Sequence, residues 1–142
     1  MTDIASYMTG VHRECDDAFV QAEQAIANTD WVQAESLLTQ FVQALEHHLQ
    51  QEEELLFPRF EQATGMTQGP TQVMRMEHQQ MRTHCESLAQ AVSEQQKDQG
   101  LGICETLMVL MQQHNMKEEQ ILYPMTDRSL GGESMVDELK AF

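Results

Sequence analysis

Basic residues are scarce in this chain. Lys and Arg number 8 against 23 Asp and Glu, a formal net charge of −15, which argues against nucleic acid and anionic membrane surfaces as partners, since both select for positive charge. Cysteine is limited to Cys15, Cys85 and Cys104. Their odd number and wide spacing, with no CxxC pair, exclude a disulfide framework and a zinc ribbon, and each is expected to be a small buried apolar residue. Aromatics make up 6% of the chain, with three prolines and seven glycines, poor material for strands and hairpins. No apolar run approaches the ~20 residues that cross a bilayer. The start, MTDIASYMTGVHREC, lacks the basic and apolar segments of an export signal, so a cytoplasmic location is expected. One domain, 1–142, with a short tail at 126–142, suits the length.

What is present is a helix-forming vocabulary of Gln, Glu, Ala, Leu and Met. Breaks stand at NTD (28–30), where Asp30 and Gln33 are spaced as a capping box, at GMTQGP (65–70), at KDQGLG (97–102) and at LGG (130–132). Between them, apolar residues recur alternately three and four apart. The first seam is Ala5, Met8, His12, Cys15, Phe19, Ala22, Ile26; the second Trp31, Ala34, Leu38, Phe41, Leu45, His48, Glu52, Leu55. The third is Thr71, Met74, His78, Met81, Cys85, Leu88, Val92, and the fourth Cys104, Leu107, Met111, His114, Glu118, Ile121. This periodicity predicts an all-α fold, an up-down-up-down antiparallel four-helix bundle.

Six seam positions are ionisable: His12, His48, Glu52, His78, His114 and Glu118. They are related by an internal repeat. Shifted by 66 residues, His12 falls on His78, His48 on His114, Glu52 on Glu118, Glu53 on Glu119, Phe57 on Tyr123 and Pro58 on Pro124, which predicts two similar hairpins related by a pseudo-twofold. Counted from turns near Thr29 and Asp98, the four histidines lie at similar depth, and each glutamate sits one turn beyond a histidine on the same face. Six such groups in a core are costly unless they form a satisfied hydrogen-bonded network or bind metal. The donor set suits iron, manganese or zinc better than magnesium or calcium, and it is too large for one tetrahedral zinc. Two ions fit the repeat, each taking two imidazoles, with both carboxylates bridging.

The pattern of His12, His48-x-x-x-Glu52 in HLQQEEELLFP, His78, and His114-x-x-x-Glu118 in HNMKEEQILYP resembles the hemerythrin-like, HHE cation-binding domain from about residue 5 to 125. The resemblance implies two iron ions in an oxo- or hydroxo-bridged non-haem centre that meets O2, NO or peroxide, in stress response, sensing or weak redox chemistry. The alternative is a non-catalytic module: an oxygen carrier, iron store or iron-dependent regulator. The oxygen-carrying members use five histidines, including an HxxxH pair on the third helix, where this chain has Arg82 four residues after His78. Its set is closer to that of bacterial stress-linked members. A ferritin-like oxidase is disfavoured because no histidine here follows a glutamate by three residues.

The remaining residues take ordinary roles. His47 and His84 lack repeat mates and are expected in solvent, and of the stretch 52–54 only Glu52 is expected to face inward, Glu53 and Glu54 being turned about 100° and 200° from it. Asp16, whose repeat mate is Arg82, is expected in an ion pair between helices, with direct or indirect support of the site as the alternative. Tyr123 is expected to pack, with hydrogen bonding or electron transfer near the metals as the alternative. The methionines on the seam are core fillers and not a copper site. Pro58 and Pro124 are expected to stop or kink their helices, and ESMVDELKAF to form a short amphipathic helix on one bundle end or on a partner.

Overall fold

Individual side chains set where the helices begin. In the computed structural model, which describes residues 2–142, Asp3 caps α1 (Ile4–Ala27) by accepting the Ser6 N–H at 2.7 Å. Asp127, remote in sequence, accepts the Ile4 and Ala5 N–H groups at 2.8 and 3.1 Å. Three of the amides that a helix start leaves open are thus satisfied. Asp30 caps α2 (Trp31–Gln50) through the Gln33 N–H at 3.3 Å, as its spacing predicts. The later helices are α3 (Phe57–Thr64), α4 (Pro70–Ser93), α5 (Lys97–Lys117), α6 (Tyr123–Leu130) and α7 (Gly132–Ala141). No strand occurs among the described residues. Helix α1 packs on α2 and α5, and α4 packs on α5 and α2.

The two turns that connect α1 to α2 and α4 to α5 are built alike. Thr29 and Gln95, 66 residues apart, both take left-handed backbone angles, φ 55° and 57°. Each donates to a carbonyl three residues back, Thr29 to Ile26 and Gln95 to Val92, at 3.0 Å. The following amides, of Asp30 and Gln96, reach back five residues to Ala25 and Ala91 at 3.0 and 2.9 Å, the Schellman closure of a helix end. The second turn therefore lies at Gln95 and not in KDQGLG, which is already part of α5. Gly100 serves packing instead: a Cβ there would meet Ile26 Cγ2 at 3.4 Å. With the turn placed at Gln95, His12 and His78 each precede their turn residue by seventeen positions, and His48 and His114 follow theirs by nineteen.

Neither Pro58 nor Pro124 ends a helix. Instead, α2 runs through a π-helical segment, Gln51–Leu56, into α3, and α5 runs through Glu118–Leu122 into α6. The Phe57 N–H bonds the Glu52 carbonyl and the Tyr123 N–H bonds the Glu118 carbonyl, each five residues back. The wider turn adds a residue at the site and lets the chain pass a proline without an α-helical clash. It also shifts the phase of the buried face. Leu56 and Leu122 are buried in place of the expected Leu55 and Ile121, and Ile121 is 58% exposed.

Two apolar clusters flank the ionisable layer. One, toward the turns, gathers Phe19, Phe41, Leu88 and Leu107; the other gathers Ile4, Met8, Leu56, Phe57, Phe60, Leu122 and Tyr123. Helix α7 closes the second with Met135, Val136 and Leu139. The buried Gln51 Nε2 donates to the Leu139 carbonyl at 2.8 Å, and Arg59 clasps Glu138 with two bonds of 3.0 and 2.7 Å. The segment ESMVDELKAF thus covers the second apolar cluster, while 126–130 belong to α6.

Candidate metal centre

The structure brings all six predicted site residues together. His12, His48, Glu52, His78, His114 and Glu118 are each no more than 2% exposed, though they come from four helical stretches. Their inward atoms form two overlapping sets whose members lie within 4.8 Å of one another: Glu52, His78, His114 and Glu118, and His12, His48 and Glu118. The imidazole pairs are compact, with ring centroids 4.8 Å apart for His12 and His48 and 5.0 Å for His78 and His114.

Three of the four rings are oriented from outside by carboxylates. His12 Nδ1 lies 2.7 Å from Glu119, His78 Nδ1 2.7 Å from Glu53, and His114 Nδ1 2.8 Å from Glu77. A proton on Nδ1 that serves these bonds leaves Nε2 as a lone pair pointing inward, the second-sphere arrangement of metal-bound histidine. The outer carboxylates are themselves held. Arg82 binds Glu53 at 2.9 and 3.0 Å and Glu46 at 2.9 and 3.0 Å, and Lys117 binds Glu77 at 2.5 Å. Glu53, expected to face away from the core, and Glu77 and Glu119 are the residues that reasoning along one helix misses, because each serves a histidine on another helix.

The inner atoms are left in conflict. His78 Nε2 faces Glu52 Oε1 at 3.1 Å and His114 Nε2 faces Glu118 Oε1 at 3.2 Å, acceptor against acceptor once Nδ1 carries the proton. Neither nitrogen makes a hydrogen bond, nor does either nitrogen of His48, Glu52 Oε1 or Glu118 Oε2. A buried polar atom without a partner costs about 1–3 kcal/mol, so this many at one level calls for protons or cations between them. Without a cation, protons do part of that work. Burial opposes a charged His12, yet the bond and charge of Glu118, with Glu52 and Glu119, raise its pKa to about 9; His78 is raised to about 9 against burial by Glu52, Glu53 and Glu118. Burial and the Glu118 charge push Glu52 up to about 7. Burial opposes ionisation of Glu118 too, but His114, Glu52 and His12 hold it well below the usual range. Buried and beside cationic His12, the His48 ring stays neutral. A hard or borderline cation fits these donors, satisfying the orphaned nitrogens and oxygens at once.

Tyr123 does more than pack. Its hydroxyl, fully buried, lies 2.7 Å from Glu52 Oε2 and 3.0 Å from both Glu118 Oε1 and His12 Nε2. Phe57 holds the matching position beside His78, with ring centroids 5.8 Å apart and an 18° tilt. Asp16 does not meet Arg82, whose partners are Glu46 and Glu53; it lines a surface cleft with Gln112, Asn115 and Glu119. His47 is exposed and lies 5.8 Å from the Phe142 ring, while His84 is half-buried. The three cysteines are free and buried, and burial pushes each thiol up to about 12, far from a reactive thiolate.

An all-helical chain with a buried histidine and glutamate layer of this kind defines a cation-binding helical protein. The model of the Hemerythrin HHE cation binding domain family matches residues 3–126, and the chain belongs to that family. No curated protein and no solved structure matched it. No helix among the described residues is long and apolar enough to cross a membrane.

Proposed function

We propose that the chain is a non-haem di-iron protein that binds or reacts with O2, NO or peroxide in the cytoplasm. In this reading its helices form an up-down-up-down bundle of two hairpins related by a pseudo-twofold. The matched turns at Thr29 and Gln95 and the matched π-segments support that architecture. The observation that carries the function is the set of inward, unpartnered His Nε2 and Glu Oε atoms at one level. His78 and His114 with Glu52 and Glu118 would hold one ion, and His12 and His48 with Glu118 would hold the other.

Iron held there would supply electrons to a small oxidant such as O2 or peroxide, or would bind NO. Everything else is the work of the chain. Glu53, Glu77 and Glu119 keep three imidazoles in one tautomer and one orientation. The apolar rings of Phe57 and Tyr123 and the clusters on either side exclude water, so that only small molecules reach the layer. The Tyr123 hydroxyl holds a proton at Glu52 Oε2, ready for an oxygen atom that gains charge nearby.

Anaerobic loading with ferrous iron, metal quantification, and visible spectra before and after air test the proposal. About two irons per chain and a spectrum that changes with O2, NO or peroxide are expected. Reversal of the change when O2 is pumped away marks a binding module, and lasting oxidation marks redox chemistry. A chain that takes up no iron, or takes it up unchanged after His48→Ala and Glu118→Ala, contradicts the proposal.

A further inference from the structure

The two halves of the layer each turn two imidazoles inward and differ in their carboxylates and in what stands behind them. On one side both histidines are braced, His78 by Glu53 and His114 by Glu77, and four donors converge, Glu52, His78, His114 and Glu118. On the other, three donors converge, His12, His48 and Glu118, and only His12 is braced, by Glu119. Both ring nitrogens of His48 lack a partner. The reason is legible in the repeat. Glu77 precedes His78, and 66 residues earlier the residue that precedes His12 is Val11, which offers no carboxylate. Tyr123 adds to the difference: its hydroxyl lies 2.7 Å from Glu52 Oε2 and 3.0 Å from both Glu118 Oε1 and His12 Nε2, so the one imidazole it contacts is on the His12 side, while Phe57 brings no hydroxyl to the His78 side.

From this juxtaposition we infer that the two metal positions load unequally and in order, the Glu52–His78–His114–Glu118 position first and tightly, the His12–His48–Glu118 position second and weakly. The difference originates in the Glu77 brace on His114, whose counterpart by the 66-residue offset, Val11, has no carboxylate with which to brace His48. Loss of such an outer partner weakens metal binding by about 10- to 100-fold. An unbraced imidazole must also give up rotational freedom on binding, which a braced one has already lost. The pair is therefore completed only when free metal exceeds the second dissociation constant, and the chain rests in a one-ion form below it. This inference rests on the two-ion reading above.

The test is an anaerobic titration of metal-free protein with cobalt(II), read by its visible absorption and by a competing chelator. Two steps of one equivalent each are expected, with dissociation constants at least about tenfold apart. Val11→Glu supplies the missing carboxylate and is expected to tighten the second step by about tenfold while leaving the first in place. Glu77→Gln, at a half-buried position, is expected to weaken the first step and bring the two constants together. It keeps the test decisive if the Val11 variant fails to fold. Two equivalents of equal affinity that neither substitution separates overturn the loading order and leave the two-ion reading intact. A single equivalent, or none, overturns both.

Discussion

The His78 side and the His12 side of the buried layer present the same ligands in different surroundings. Beside His78 stands Phe57, an inert ring with the Arg75 guanidinium 5.4 Å from its centre, and Glu53 is fastened by Arg82. Beside His12 stands Tyr123, with a hydroxyl in the midst of the donors, and Glu119 stands next to Asp16 over an open cleft. On the proposed two-ion reading the donors are paired because two ions would need two near-equivalent sets. What lies behind them is free to differ, and there the chain sets protonation, rigidity and access separately for each half.

The strongest way to break the comparison is through the residue both halves share. Glu118 completes both donor sets, whereas Glu52, though its Oε1 also lies 3.5 Å from His48 Nε2, completes the His78 set. Elemental analysis of the purified variants is expected to find no bound metal in Glu118→Ala and residual, weakly held metal in Glu52→Ala. Equal retention by the two variants contradicts the assignment of Glu118 to both positions.

The tyrosine and phenylalanine pair sharpens it next. Tyr123→Phe strips Glu52 Oε2 of its donor and is expected to destabilise metal-free protein by about 1–3 kcal/mol in urea unfolding. Glu118 Oε2, without a partner, is the matching atom for a hydroxyl at position 57. Phe57→Tyr is accordingly expected to be tolerated, and in the Tyr123→Phe background to recover about 1 kcal/mol.

Protonation offers a test that treats the halves alike. His12 and His78 have folded-state pKa values raised to about 9 from an ordinary 6.5. Their contribution to metal-free stability is thus complete below pH 6.5 and lost as the pH rises through about 9. Metal-free protein is expected to lose stability across that window in thermal melts, and metal-loaded protein to lose less, since bound ions replace those protons. A flat or rising profile for the metal-free chain contradicts the account of which groups hold protons. The smallest effect concerns the turns. Thr29 is β-branched and left-handed at φ 55°, and Thr29→Gly is expected to stabilise by about 0.5–1 kcal/mol, the relief of strain exceeding the entropy of the added glycine.

Much of this was legible from spacing alone. The alternating three and four intervals place His12, His48, His78 and His114 in the core, and the 66-residue offset pairs them. Three features escaped for physical reasons. The π-segments exchange Leu55 for Leu56 and Ile121 for Leu122, because an added residue per turn shifts the phase of every later side chain. The turn at Gln95 carries no glycine, the usual mark of a left-handed residue, while the glycines of KDQGLG sit inside a helix where Gly100 admits Ile26. Glu53, Glu77 and Glu119 act across helices, and a pattern read along one helix does not show which histidine each will meet.

The central claim, two ions each held by a pair of imidazoles in the buried layer, is tested most directly by a crystal structure of iron-loaded protein with anomalous data at the iron edge. Two peaks inside the buried layer are expected, one at His78 and His114 and one at His12 and His48. A single peak in the layer, or iron found only among surface carboxylates, contradicts it.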